Sequence, residues 1–228
     1  MTWKNYIFTG LLNRFYPDYV MVDRKRIIQI NTVIGNFQFS DPMKQYFDMF
    51  NQIDEYRVDD ITADDVILDI GACLGGFTIK MSPLVRHIIA VEPVFIEELR
   101  ANLTLNNCKN VTSLPYALGG ENEDEELGSI SFCGRSSLVR YKSMKSILKA
   151  CPVPPTVLKI DCEGGEWSIS PEDFRFFRVI EAEIHNYNGK NPMDFIVMLE
   201  KEGFKVLCEK TPEGQLMLHA RKLQGGSM

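Results

Sequence analysis

The chain has 228 residues, 45% of them apolar against 25% charged, and carries a net charge of −6. That is the balance of an ordinary globular domain able to bury a sizeable core. Lysines and arginines are scattered rather than gathered into a basic stripe, which argues against a nucleic-acid partner, and no apolar run is long enough to cross a membrane.

The six cysteines form no C-x-x-C pair and no tight framework, so they read as reduced, mostly buried thiols of a cytoplasmic protein. Near the N-terminus an apolar stretch at residues 6–12 is interrupted by Asn13 and Arg14, with no small-residue cleavage site, so no signal peptide is expected.

Residues 1–60 read as an N-terminal cap or extension. Within them the pattern predicts an amphipathic helix at 3–16, short strands at 19–22 and 27–30, and a helix opened by Pro42 with Met43, Tyr46, Phe47 and Phe50 on one face. From there to residue 228 strands alternate with helices, which implies a parallel sheet. Strands are expected at 66–70, 87–91, 111–114, 156–160 and 179–184. Helices are expected to begin at Phe77 and to cover 97–106, 142–150 and 192–200. Residues 121–126 read as a solvated acidic loop, and 129–133 and 138–141 as short strands or loop. The tail, 204–208 and 216–220, reads as a hairpin. The expected architecture is a Rossmann-like class I methyltransferase fold: α/β, with a mostly parallel seven-stranded sheet ending in an antiparallel hairpin and helices on both faces.

Asp69-Ile-Gly71-Ala72-Cys73-Leu-Gly75-Gly-Phe77 follows a buried strand and opens a helix, the setting of a nucleotide-binding turn. Gly71 lets the chain turn sharply; Gly75 lets backbone N–H groups approach a ligand; Asp69 can meet a cationic amine or order the loop. A dinucleotide fingerprint has glycine where this chain has Cys73, whose side chain would obstruct a pyrophosphate. S-adenosylmethionine has no phosphate. Glu92, followed by Pro93 at the end of the next strand, is placed to accept hydrogen bonds from both ribose hydroxyls, and Tyr116 and Ala117 to flank the adenine. Tyr141 and Lys145 match the Tyr-x-x-x-Lys pair of short-chain dehydrogenases, but without the matching glycine the match reads as coincidence. A nicotinamide oxidoreductase and a cofactor-binding module without turnover are the competing readings.

Lys159-Ile-Asp161-Cys-Glu163-Gly-Gly-Glu166 closes the fourth strand, and Glu181-Ala-Glu183-Ile-His185 the fifth. Alternation puts Glu183 and His185 on one side, so several acidic or imidazole groups converge beside the cofactor. Asp161 or His185 can serve as general base, or Asp161, Glu163 and His185 can hold a divalent metal. Glu163 and Glu166 can instead order the turn through backbone N–H bonds.

These segments, together with Val66-Ile-Leu-Asp-Ile-Gly-Ala-Cys-Leu-Gly-Gly-Phe77, Val91-Glu-Pro93 and Ala117-Leu-Gly119, resemble the FkbM-type methyltransferases over residues 64–200. Cys73 stands where asparagine is common in that family. The resemblance implies methyl transfer from S-adenosylmethionine to oxygen, so the expected acceptor is a hydroxylated small molecule or sugar. The N-terminal segment and the loop near Ser136 and Ser137 are expected to close its pocket.

Overall fold

A computed structural model of the protein describes residues 20–22, 27–32, 34–39, 55–120, 126–132, 135–211 and 215–223. The helices expected at 3–16 and after Pro42, and the acidic loop apart from Glu126, lie outside the described residues.

Apolar runs too short for helices form the central strands, β4 (Val66–Ile70), β5 (His87–Val91), β6 (Val111–Leu114), β10 (Val157–Ile160) and β11 (Val179–Ile184). These pair in parallel. The terminal hairpin, β12 (Phe204–Lys210) and β13 (Leu216–Lys222), adds to β11 through antiparallel pairing by β13. The resulting order is β12-β13-β11-β10-β4-β5-β6, the mostly parallel seven-stranded sheet that the sequence pattern implies. Strand order reverses between β4 and β10, the point where open α/β sheets bind ligands at the carboxyl ends of their strands.

Alternation along each strand divides the sheet into two packed faces. Val66, Leu68, Ile89, Leu158 and Ile180 pack with α3 (Met144–Ala150) and α4 (Pro192–Lys201). On the opposite face, Ile67, Ile88 and Val157 meet α1 (Gly76–Met81), while Ala90 meets α2 (Ile96–Leu105). Here the core is partly polar. Asp69, Lys159, Glu181 and Glu183 point to this face and are nearly or fully buried. Glu181 is satisfied by the Arg57 amide at 2.8 Å, His219 at 2.7 Å and Arg221 at 2.6 Å.

Two small sheets flank the large one. β1 (Val20–Val22), β2 (Ile27–Thr32) and β3 (Gly35–Phe39) form an antiparallel meander. Its last strand docks on α2, where Asn106 and Asn102 accept from the amides of Asn36 and Gln38, each at 2.7 Å. β7 (Tyr116–Leu118), β8 (Glu126–Phe132) and β9 (Arg135–Lys142) form the other. The segments left open between strand and loop are therefore a hairpin beside the ligand end of the sheet.

At the opposite end of β4, Asp65 accepts from the Thr62 amide at 2.7 Å, the Thr156 hydroxyl at 2.7 Å and Arg178 Nε at 2.8 Å. Burial opposes its charge, but these donors outweigh burial and hold its pKa below the ordinary carboxylate range. A folded pKa below the unfolded value of about 3.9 contributes stability that is fully present above that pH and is lost only as pH falls from there through the lowered folded pKa. Asp65→Asn is thus expected to lower the urea midpoint at pH 7, with a difference from wild type that begins to shrink below about pH 4 and falls to less than half by about pH 2; an undiminished difference at about pH 2 would contradict this.

Candidate active site

The chain leaves β4 at Ile70 and turns at Gly71, where φ is +79°. The Gly71 and Ala72 amides both donate to the Val91 carbonyl, at 3.0 and 3.1 Å. A Cβ on Gly71 would lie 1.6 Å from the Asp161 carbonyl oxygen, so only glycine lets β4 and β10 close together here. Cys73 adopts φ +47°, in the left-handed region that asparagine tolerates better than most residues. The Cys73 amide donates to Glu92 Oε2 at 2.8 Å, while Glu92 Oε1 accepts from Val94 and Phe95 at 2.6 and 2.9 Å. Glu92 thereby ties the turn after β4 to the end of β5. It is buried, which pushes its pKa up against the pull of these N–H groups.

Gly71, Cys73, Glu92, Pro93, Tyr116 and Ala117 all lie on the wall of one cleft of about 2250 Å³. Asp69, Ala72, Gly75 and Phe77 lie behind it. Ala72 packs with Ile79 and Leu99, Phe77 packs edge-on against Tyr56 at 5.3 Å, and Gly75 precedes α1 with φ +91°. Asp69 is fully buried; it accepts from Thr78 Oγ1 at 2.5 Å and pairs with Lys159 at 3.2 Å. Lys159 Nζ also reaches the Gly71 carbonyl at 3.1 Å. Burial disfavours the Lys159 charge, but Asp69 and Asp161 more than compensate, so its pKa is raised. These buried charges order the loop from beneath.

Across the cleft, Asp161, Glu163, Glu183 and His185 converge. The pairing of Ile160 with Ala182 makes Asp161 and Glu183 neighbours at the next step of the sheet. Tyr56 donates its hydroxyl to Asp161 Oδ2 at 3.2 Å. The other oxygen, Oδ1, lies 3.8 Å from His185 Nε2, and Glu163 Oε2 lies 3.6 Å from the same nitrogen. Glu163 has φ +57° and a largely exposed side chain.

Glu166 is fully buried and belongs to the turn: it accepts from the Gly164 amide at 2.9 Å and the His185 amide at 2.8 Å. Its Oε1 also lies 3.3 Å from His185 Nδ1. Burial works against a charged His185, yet Glu166, Glu163 and Asp161 raise its pKa to about 9. At neutral pH His185 is then an imidazolium, which donates rather than accepts a proton. The proton acceptors of the group are its carboxylates. Glu183 stands out among them, since burial and Asp161 push its pKa up to about 7.

Tyr141 and Lys145 also line the cleft, but the Tyr141 ring is packed close against Gly119 and Gly128, each of which would meet it within 2.7 Å through an added Cβ. This explains two glycines without a redox role. Two contributors, Tyr56 and a group of cationic residues on the cleft wall, were not singled out by sequence reasoning. Lys145, Lys149, Arg175 and Lys190 come from three separate segments to line the cleft with the aromatic rings of Trp167 and Tyr187. Lys190 Nζ lies 5.9 Å from the Trp167 ring, and Arg175 pairs with Glu202.

No family model matches the chain. A 66-residue stretch, 28% of this chain, is 35% identical to an uncharacterized RNA methyltransferase of Staphylococcus aureus; it spans 14% of that protein's length. Among solved structures, an rRNA methylase from Streptococcus thermophilus matches over 80% of this chain and 98% of its own, with 8% identity and a TM-score of 0.53. M. jannaschii TYW2, solved in complex with AdoMet, matches over 90% of both chains with 12% identity and a TM-score of 0.52. The fold is therefore that of the class I methyltransferases. The expectation of a hydroxylated small-molecule acceptor and no nucleic-acid partner is overturned, because the sequence relative and the first of these fold neighbours are both described as methyltransferases of RNA. Physically, overall charge does not describe a single cleft: its wall brings together Lys145, Lys149 and Lys190, although Glu126, Glu163, Glu172 and Asp173 lie on it as well. Among the described residues no helix is long and apolar enough to cross a membrane.

Proposed function

We propose that the protein transfers a methyl group from S-adenosylmethionine to RNA. The observation that carries the cofactor half is Glu92: a buried carboxylate at the end of β5, bound to the turn after β4 and open to the cleft. It is where ribose hydroxyls would donate, while Tyr116 and Ala117 offer a flat wall for the adenine. When bound, the cofactor supplies an electrophilic methyl on a sulfonium. The carboxylates of Asp161 and Glu183 favour that positive charge and stand ready to take the proton lost by the acceptor as it attacks. The FkbM-type resemblance bears on this half of the site through its motif residues.

The acceptor half rests on the likeness to RNA methyltransferases and on the rim. Lys145, Lys149 and Lys190 suit phosphates, and Tyr187, 47% exposed, offers a surface on which a displaced base can stack. The volume of the cleft exceeds the several hundred Å³ that one small ligand fills, leaving space beside the cofactor for a nucleotide. The division near residue 60 belongs to this reading, with Tyr56, just before the boundary, orienting Asp161.

The test is transfer of tritiated methyl from S-adenosylmethionine to total RNA. Label is expected in RNA with wild-type protein and reduced about 100-fold or more with Asp161→Asn, the scale of a lost general base. Absence of label in RNA from a protein that binds S-adenosylhomocysteine would overturn the acceptor, and full activity in Asp161→Asn would overturn the role of that residue.

A further inference from the structure

Glu183 is 6% exposed, yet its carboxylate has no hydrogen bond or ion pair among the described residues. The residue lines the cleft, and no protein donor there offsets the charge of its carboxylate. Other carboxylates of the sheet have donors: Asp69 accepts from Thr78 and pairs with Lys159, Glu166 accepts from two amides, and Glu181 meets His219 and Arg221. Glu183 points instead at two further potential ligands. One donor atom each from Asp161, Glu183 and His185 all fall within 4.8 Å of one another.

We propose that Asp161, Glu183 and His185 bind a divalent first-row transition cation such as Mn2+ or Zn2+. Two carboxylate oxygens and one imidazole nitrogen suit such an ion better than Ca2+, which favours an all-oxygen shell. The parts are already oriented. Tyr56 holds Asp161 Oδ2, leaving Oδ1 toward His185. Glu166 lies against His185 Nδ1, leaving Nε2, whose proton an incoming cation displaces, to face the cleft. A carboxylate behind a ligating histidine is the usual outer shell of a metal site, fixing the ring's orientation. Ligand atoms about 2.0–2.2 Å from an ion stand roughly 3–3.5 Å apart, so donors up to 4.8 Å apart must close by about 1–2 Å, within reach of side-chain rotation. Glu163, largely exposed and outside this set of three, is the most peripheral of the group. The cation would lower the pKa of an acceptor group placed in the cleft; that use rests on the methyltransferase reading, whereas the site itself does not.

The experiment is titration of the full chain with Mn2+ alone, in the absence of cofactor and RNA, following free Mn2+ by electron paramagnetic resonance and protein stability by thermal denaturation. Wild type is expected to bind one Mn2+ per chain and to melt higher with it. Glu183→Gln surrenders no hydrogen bond, so it should fold as wild type while binding Mn2+ at least 10-fold more weakly. Asp161→Asn should weaken binding likewise and guards against misfolding of the first variant. No Mn2+ binding by wild type at millimolar concentration, or unchanged affinity in both variants, would overturn the site. Binding of S-adenosylhomocysteine by the same wild-type sample separates that failure from failure of the methyltransferase reading.

Discussion

Glu92→Ala is expected to weaken S-adenosylmethionine binding at least 100-fold in calorimetry. Two hydrogen bonds from ribose hydroxyls to a carboxylate are each worth about 1.5–3 kcal/mol, so losing both removes about 3 kcal/mol or more, and each 1.4 kcal/mol is tenfold in affinity. The same carboxylate accepts from the Cys73, Val94 and Phe95 amides, so alanine also loosens the turn after β4. Glu92→Gln is the milder change. Its oxygen can still accept from Val94 and Phe95, but its NH2 then faces the Cys73 amide and the ribose as a donor. Glu92→Gln should therefore melt between wild type and Glu92→Ala and bind the cofactor about 10-fold more weakly. Unchanged affinity in Glu92→Ala would remove the residue from the binding site.

Lys159→Met is expected to destabilise the protein by about 3–5 kcal/mol, because it leaves Asp69 charged and buried without its cation. For a domain of this size each kcal/mol shifts the melting temperature by about 2–4 °C, so a drop of roughly 6–20 °C should appear in thermal denaturation. The double variant Asp69→Asn with Lys159→Met should recover much of the loss, since no unpaired charge then remains. The effect should also reach the cofactor, because Lys159 holds the Gly71 carbonyl. A single variant that melts within a degree of wild type would show that the pair does not hold the loop.

The sheet was legible because strands buried on both faces read as continuous apolar runs, and Val66–Ile70 and Val179–Ile184 differ from that only at carboxylates. Those exceptions, Asp69, Glu181 and Glu183, are the informative ones: two anchor buried polar networks and one faces the cleft. The turn after β4 was legible through Gly71, whose missing side chain is required by the approach of Asp161. β8 and β9 were harder. Their leucines at 127 and 138 are exposed, so the alternation that marks a half-buried strand is blurred. Tyr56 left no local signal, since it meets Asp161 across 105 residues of sequence. Burial of Asp69 was also illegible: a strand-end aspartate can face ligand or loop, and its fate is decided by Lys159 on the neighbouring strand. The acceptor was misjudged for a related reason. Charge summed over the chain says little about where single groups fall: α3 and the turn after β11 bring Lys145, Lys149 and Lys190 to one cleft, alongside Glu163, Glu172 and Asp173.

The most direct measurement is thermal denaturation of the protein with S-adenosylhomocysteine and, separately, with NADH. At 100 times its dissociation constant a ligand adds about 2.7 kcal/mol, so S-adenosylhomocysteine should raise the melting temperature by roughly 5–10 °C while NADH leaves it unchanged. No shift with S-adenosylhomocysteine, or a larger one with NADH, would contradict the assignment of this cleft to S-adenosylmethionine.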